Sequence, residues 1–247
     1  MPFMKKILLV LTGGLLLPGC KETTYLEPTD PGLGYFPAAV GQFRIYQVLD
    51  TTWLNYGTTT SSYQVRERLT ATYPDAAGQP VFRVESARRA TAAAAWVPDS
   101  VFTLSVDARR VVYSRANRRT VELVFPVRDS AKWNFSAYAN TSGDTITAET
   151  RRYVKGSIGQ PFVLPTLPGV PARTFPQALT TANIGRAVND DNCARRSYRQ
   201  VFALGTGPVY RRSVNFIFQD PTNSTCNPQL GVYNGTSHTE ILLETGP

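Results

Sequence analysis

The sequence predicts an all-β protein: a single antiparallel meander forming a strongly curved sheet, half-barrel or barrel, with a β-sandwich as the alternative. Three observations carry that expectation. Apolar residues recur with period two along most of the chain. The breaks are short turn sequences such as Pro74-Asp75-Ala76-Ala77-Gly78, Asp107-Ala108-Arg109 and Ser142-Gly143-Asp144. No long stretch carries helical periodicity, and roughly ten strands without intervening helices leave a sandwich, a barrel or one curved sheet.

The first element is not part of that sheet. Lys5 and Lys6 form a positive opening, and Ile7 to Leu17 form an apolar run interrupted by Thr12, Gly13 and Gly14. The run is shorter than the about 20 residues a bilayer span needs, and it sits where a secretory signal sits. Leu17-Pro18-Gly19-Cys20 resembles a bacterial lipobox, in which the cysteine becomes the first mature residue and carries acyl chains. Residues 1–19 therefore read as a signal peptide and Cys20 as the lipidation site. Residues 20–34, with Pro28, Pro31, Gly32 and Gly34, read as a flexible tether. Its reach as a coil is about 20 Å. Lys21-Glu22 faintly resembles surface-export signals of Bacteroidota lipoproteins, which leaves the membrane face open between periplasm and cell surface.

Residues 35–247 read as a single all-β domain. Phe43 to Leu49 opens the strands. Ser61 to Tyr73 is the cleanest, with Tyr63, Val65, Leu69, Ala71 and Tyr73 on one face and Gln64, Arg66, Arg68, Thr70 and Thr72 on the other. Val81 to Ala87, Val101 to Val106, Val111 to Arg115 and Thr120 to Phe125 follow, then Thr145 to Val154, Tyr198 to Ala203, Val209 to Phe218 and His238 to Leu243. Ala90 to Ala95, followed by Pro98, is a loop. Residues 156–192 hold Pro161, Pro165, Pro168, Pro171 and Pro176 and no clean period. They read as a Pro-rich excursion with room for one short strand around Phe162 to Leu164, packed over an open end of the sheet.

Once Cys20 is assigned to lipid, Cys193 and Cys226 remain, and in an oxidising compartment they read as one disulfide. The formal net charge of +8 becomes +6 when Lys5 and Lys6 leave with the signal. Arginine recurs as doublets, among them Arg88-Arg89, Arg118-Arg119, Arg151-Arg152 and Arg211-Arg212. Neighbouring strand side chains point to opposite faces, so a doublet makes no one-sided stripe for nucleic acid. A mildly basic surface, with attraction to anionic envelope glycans, is the expectation instead.

Catalytic motifs are missing from the sequence. The one histidine, His238, has no nucleophile elbow to serve, and neither His-Glu-x-x-His nor Cys-x-x-Cys occurs. Asn189-Asp190-Asp191-Asn192 lacks the alternating spacing of a calcium loop and reads as a turn. No metal and no cofactor are expected. Glu67 is the one acid on an apolar strand face, as a buried functional carboxylate or as the partner of an arginine. Trp53, Trp96 and Trp133 are the aromatics read as ligand-facing, by stacking on sugar or lining a lipid cavity, against a purely packing role. Asp50-Thr51-Thr52, Asp99-Ser100-Val101, Asp129-Ser130-Ala131 and Asp144-Thr145-Ile146 resemble an O-glycosylation sequon of the Bacteroidota, though Asp-Ser and Asp-Thr are also ordinary turn pairs.

Tyr35-Phe36-Pro37, Val40-Gly41, Tyr46-Gln47-Val48, Leu123-Val124-Phe125-Pro126-Val127 with Trp133-Asn134, and Ala203 to Tyr210 occur in that order along the chain. Together they resemble a family of uncharacterised Bacteroidota lipoproteins. The Gly205-Thr206-Gly207-Pro208-Val209-Tyr210 turn is also similar, at fold level, to LolA-type half-barrel proteins. The resemblance implies class and address: a lipoprotein of the outer membrane, attached through acylated Cys20, with no nucleic-acid partner. The expected role is non-catalytic, binding or structural. The alternatives are a carrier of a lipid in a curved-sheet cavity and a carbohydrate-active enzyme.

Overall fold

The computed structural model describes residues 30–138, 150–167, 169–183, 193–218, 226 and 228–247. Cys20, the signal, most of the tether, Thr145 and Asn189 to Asn192 lie outside the described residues. Thirteen strands form one antiparallel sheet: β1 (Phe43–Leu54), β2 (Gly57–Pro74), β3 (Pro80–Arg89), β4 (Val97–Val106), β5 (Arg110–Arg115), β6 (Arg118–Val124), β7 (Lys132–Asn134), β8 (Thr150–Tyr153), β9 (Gln160–Val163), β10 (Thr174–Asn183), β11 (Ala194–Ala203), β12 (Gly207–Ile217) and β13 (Asn234–Gly246). The spatial order is β6-β5-β4-β3-β2-β1-β13-β12-β11-β10-β8-β7, with β9 beside β10.

The sheet curls until its two ends meet. The Val121 N–H of β6 donates to the Phe135 carbonyl just past β7 at 2.9 Å. The Trp133 indole N–H donates to the Val121 carbonyl at 2.8 Å. The Tyr153 hydroxyl donates to the Val124 carbonyl. The result is a nearly closed barrel, not a sandwich. Closure satisfies backbone groups that an open edge would expose.

One end of the barrel is filled. The chain enters there through a short 3-10 turn, Leu33–Tyr35, and buries Tyr35 and Phe36 among Val84, Phe102, Tyr113 and Phe202. The Val127 N–H donates to the Pro31 carbonyl and the Gly205 N–H to the Gly34 carbonyl, at 2.9 and 2.8 Å. Residues 31–34, expected to end the tether, are thus docked on the barrel. Arg44 pins the same corner: its Nη2 donates to the Pro37 carbonyl at 2.7 Å and its Nε to Thr206 at 3.2 Å. Gly207, at φ +94°, lies flat against that guanidinium, and a Cβ there would stand 2.8 Å from Arg44 Nη2. This close approach is what the Gly-x-Gly turn in the sequence serves.

The Pro-rich excursion differs from expectation in two ways. It holds the short strand β9 at the expected place, but also the ten-residue β10, which lies in the wall between β11 and β8. Leu179 packs into the inner core while Ala178 belongs to a second cluster with Leu164, Val170, Phe175, Val201 and Tyr210. A strand buried on both faces loses its alternation, so period two could not reveal it. Pro176 sits at a register shift between Phe175 and Ala178, where no ladder hydrogen bond is demanded of it. The excursion also covers the outer wall, not an open end. Phe162 meets the Tyr210 ring at 5.7 Å, and Tyr210 points outward because its neighbour Arg211 points in.

Cys193 and Cys226 are disulfide-bonded with Cα atoms 5.0 Å apart, tying the start of β11 to the connection between β12 and β13. The bond closes a loop of sequence separation 33. Reduction, or Cys226→Ala, is expected to lower stability by about 2–4 kcal/mol. The check is a denaturant titration with and without reductant, in which the Cys226→Ala variant should no longer respond to reductant.

Candidate functional site: a charged interior at the open end

The end opposite the N-terminal plug is lined by charge. Register explains how. Val48, Glu240, Arg211, Gln200 and Thr181 lie directly opposite one another across β1, β13, β12, β11 and β10, so they share one face. That face is the barrel interior. β13, β12, β11 and β10 each contribute one polar residue to a row that no single strand could supply.

The row is wired end to end. The Tyr63 hydroxyl donates to Asp50 Oδ2 at 2.8 Å. Asp50 Oδ1 meets His238 Nδ1 at 2.6 Å, and His238 Nε2 meets Glu240 Oε1 at 2.8 Å. Glu240 Oε2 then pairs with Arg211 Nη1 at 2.9 Å. Arg211 Nη2 donates to the Gln200 side-chain oxygen at 3.2 Å, and the Gln200 side-chain NH2 donates to Glu122 Oε2 at 3.1 Å and to the Tyr198 hydroxyl. Beside this chain, Arg115 Nη2 binds Glu67 Oε1 at 2.7 Å while its guanidinium lies 3.9 Å from the Phe102 ring centre. The buried Arg151 guanidinium sits over Tyr198 at 3.9 Å and Phe135 at 4.2 Å.

Burial would push the Glu240 carboxyl up, but the Arg211 guanidinium and the His238 ring outweigh it and hold it down at about 2. Burial alone would lower the His238 pKa; its contacts with Glu240 and Asp50 reverse that and raise it. Burial, with Glu122 nearby, raises the Tyr198 phenol. The interior is therefore a string in which acidic side chains alternate with His238 and Arg211.

Two cavities open beside the string. One, about 330 Å³, is lined by Arg115, Arg118, Thr120, Glu122, Phe135 and Arg211. The other, about 690 Å³, lies across the mouth between the projecting β1–β2 hairpin and the β3–β4 connection, against Asp50, Tyr63 and Arg88.

Of the residues singled out in the sequence, Glu67 is inside and takes the arginine-paired form of its two readings. The three tryptophans are scattered. Trp133 is buried in the core against Tyr153 at 5.0 Å, with its indole N–H used at the barrel seam. That makes it packing and not cavity lining, which corrects its expected exposure to ligand. Trp53 lies on the outer face against Phe216 at 4.8 Å. Trp96 is held over by Arg66 and Arg89, at 4.8 and 4.2 Å. Neither lines the two cavities.

Sequence reasoning missed Asp50, Glu122, Gln200, Arg211 and Glu240. A signal for Arg211 was present in the doublets: in a barrel wall one arginine of a pair must face in. Arg151 and Arg211 do so, while Arg152 and Arg212 are exposed.

The fold and interior define a nearly closed antiparallel barrel with one plugged end and one charged, open end. No protein-family model matches this chain, and no curated protein matches it significantly. Among solved structures it is similar to a candidate exported protein of Bacteroides fragilis with a YmcC-like fold, at 12% identity and TM-score 0.35, over 86% of this chain and 98% of that one.

Proposed function

We propose that this chain is a lipid-anchored, non-catalytic binding protein of the cell envelope that takes a small acidic saccharide into its open end. One observation carries the reading: Arg115, Arg118 and Arg211 converge on a single cavity with the Phe135 ring and the oxygens of Thr120 and Glu122. Guanidiniums suit a carboxylate, a ring face suits a sugar face, and Glu122 can accept from sugar hydroxyls. An acyl chain would fit poorly, because burying it against this string would strip charged groups of water. The interior acids also support a binding role over hydrolysis. Glu67 is committed to Arg115 and Glu240 to Arg211 and His238, so both carboxylates are already engaged by neighbouring side chains.

The lipid anchor rests on Leu17-Pro18-Gly19-Cys20. The described chain enters at the plugged end, so a tether from Cys20 would attach the barrel there and leave the open end unobstructed. The family resemblance and the outer-membrane address belong to the same proposal.

Isothermal titration with a glucuronate-containing disaccharide and its neutral counterpart tests the binding role. Binding of the acidic sugar alone, weakened about tenfold by Arg118→Gln and by raised salt, is the expected result. Equal binding of both sugars, or native mass spectrometry showing retained lipid instead, would overturn it. Cys20→Ala should move the protein from the membrane to the soluble fraction.

A further inference from the structure

The barrel closes its seam, but among the described residues part of the β2 edge carries no neighbouring strand. β1 pairs with β2 from Leu54↔Gly57 to Phe43↔Arg68, whereas β3 joins β2 only from Gln64↔Arg89 onward. Among the described residues, then, residues 57–63 have a strand on one side only. The two-residue turn Asn55-Tyr56, with φ 50° and 66°, fixes the phase of the ladder. Leu54 and Gly57 form a hydrogen-bonded pair, so Thr58, Thr60 and Ser62 turn their N–H and C=O groups away from β1. No backbone group among the described residues bonds to them there.

Proteins protect such an edge with lysine, proline, a bulge or a covering loop. Gly57-Thr58-Thr59-Thr60-Ser61-Ser62 has no charge and no proline, and its pairing with β1 shows no register shift. The seam between β6 and β7 is treated differently, with Val121 bonded across it. Where β3 would continue beyond Arg89, the chain turns aside through Ala90 to Trp96 and leaves the 690 Å³ groove. Ala94, Ala95 and Val97 line it, and Val97 is 59% exposed. Arg88 and Arg89 stand at the base of the groove, and the Arg88 side chain is 64% exposed and reaches Asp99 only at 3.7 Å. Asp50, the acid that also lines it, is engaged by Tyr63 and His238.

We propose that the β2 edge from Thr58 to Ser62 takes an extended, acidic segment of a partner protein as an added antiparallel strand. The added strand occupies the lane that β3 vacates. Main-chain bonds to Thr58, Thr60 and Ser62 supply affinity, small apolar side chains at alternate positions fill the Ala- and Val-lined groove, and an acidic residue meets Arg88. The lane spans about 20 Å, the length of a strand of roughly six residues. A second copy of this chain is a poorer occupant, since its own edge from Gly57 to Ser62 offers no acidic side chain to Arg88. The proposal is independent of the saccharide cavity.

The test is amide hydrogen exchange followed by NMR on the mature chain, with a synthetic heptapeptide of alternating Val and Glu and a Val–Lys counterpart. The Val–Glu peptide is expected to slow exchange at Thr58, Thr60 and Ser62 at least tenfold, leaving Thr59 and Ser61, already bonded to β1, unchanged. Thr60→Pro should abolish the effect without lowering the melting temperature, because that N–H makes no bond to β1. Thr58→Glu, which leaves the backbone intact and sets a like charge against the peptide glutamates, should weaken binding at least tenfold and decides the matter if Thr60→Pro fails to fold. Three results overturn the proposal: no slowing at saturating peptide, an equal response to the Val–Lys peptide, or slow exchange without peptide that is lost on dilution. The last would assign the edge to a second copy.

Discussion

Arg211→Met is expected to lower the unfolding free energy by about 3–5 kcal/mol, the cost of leaving a buried charge without its partner. Arg211 contacts Glu240 at 2.9 Å and Gln200 at 3.2 Å, and its removal leaves the Glu240 carboxylate with His238 alone. Methionine keeps much of the side-chain volume, so the loss measures charge and not a cavity. The double variant Arg211→Met with Glu240→Leu should recover a large part of it, since paired removal leaves no carboxylate without its arginine, while His238 keeps Asp50. Urea titrations of the single and double variants decide this, and additive losses would show that the two charges are not coupled.

The same contact sets a pH dependence. Glu240 falls from an ordinary 4.5 to about 2 on folding, so its stabilisation is complete above 4.5 and is lost as pH drops toward 2. His238 is raised above 6.5, so its contribution is complete below 6.5 and disappears as pH climbs through the raised value. Together they favour the window between 4.5 and 6.5. In Arg211→Met the Glu240 part of the acid limb should shrink, because the main force holding that carboxyl below its unfolded value is gone and less stability remains to be lost as pH drops.

Phe36→Ala is expected to cost about 3–5 kcal/mol, as for other fully buried aromatics. Phe36 is 1% exposed and lies between the rings of Tyr113 and Phe202, with centres 6.2 and 6.1 Å away. Its loss also releases the segment it anchors. Limited proteolysis should therefore cut between Pro31 and Pro37 in the variant at concentrations that leave the parent intact. A stability loss without new cleavage would show that the plug holds through Arg44 and the Pro31 and Gly34 carbonyls instead.

Much of the wall was legible in the sequence. Ser61 to Tyr73 lies within β2 as expected, and from Tyr63 to Leu69 its apolar face meets the core. A register shift between Leu69 and Ala71 turns Ala71 and Tyr73 out to solvent, and Gln64 on the other face is buried. β10 was illegible because both its faces are covered, the inner by the barrel core and the outer by Leu164, Val170 and Phe175. The Pro residues around it, which ordinarily argue against a strand, lie at its start and at its register shift.

The interior site was nearly invisible for a different reason. Asp50 and His238 are 188 residues apart, and Glu67 and Arg115 are 48 apart. No local spacing joins them. Composition and alternation by themselves determined an all-β chain with a paired cysteine couple and arginines on both faces of its strands, because those properties depend on a residue and its immediate neighbours. Only the tertiary structure decided that the sheet closes, that the segment from Pro31 to Phe36 stops one end, and that Asp50, His238, Glu240, Arg211 and Gln200 fall on one face. Register across several antiparallel strands sets which distant charges meet, and a shift of one residue would turn each of them to the opposite face.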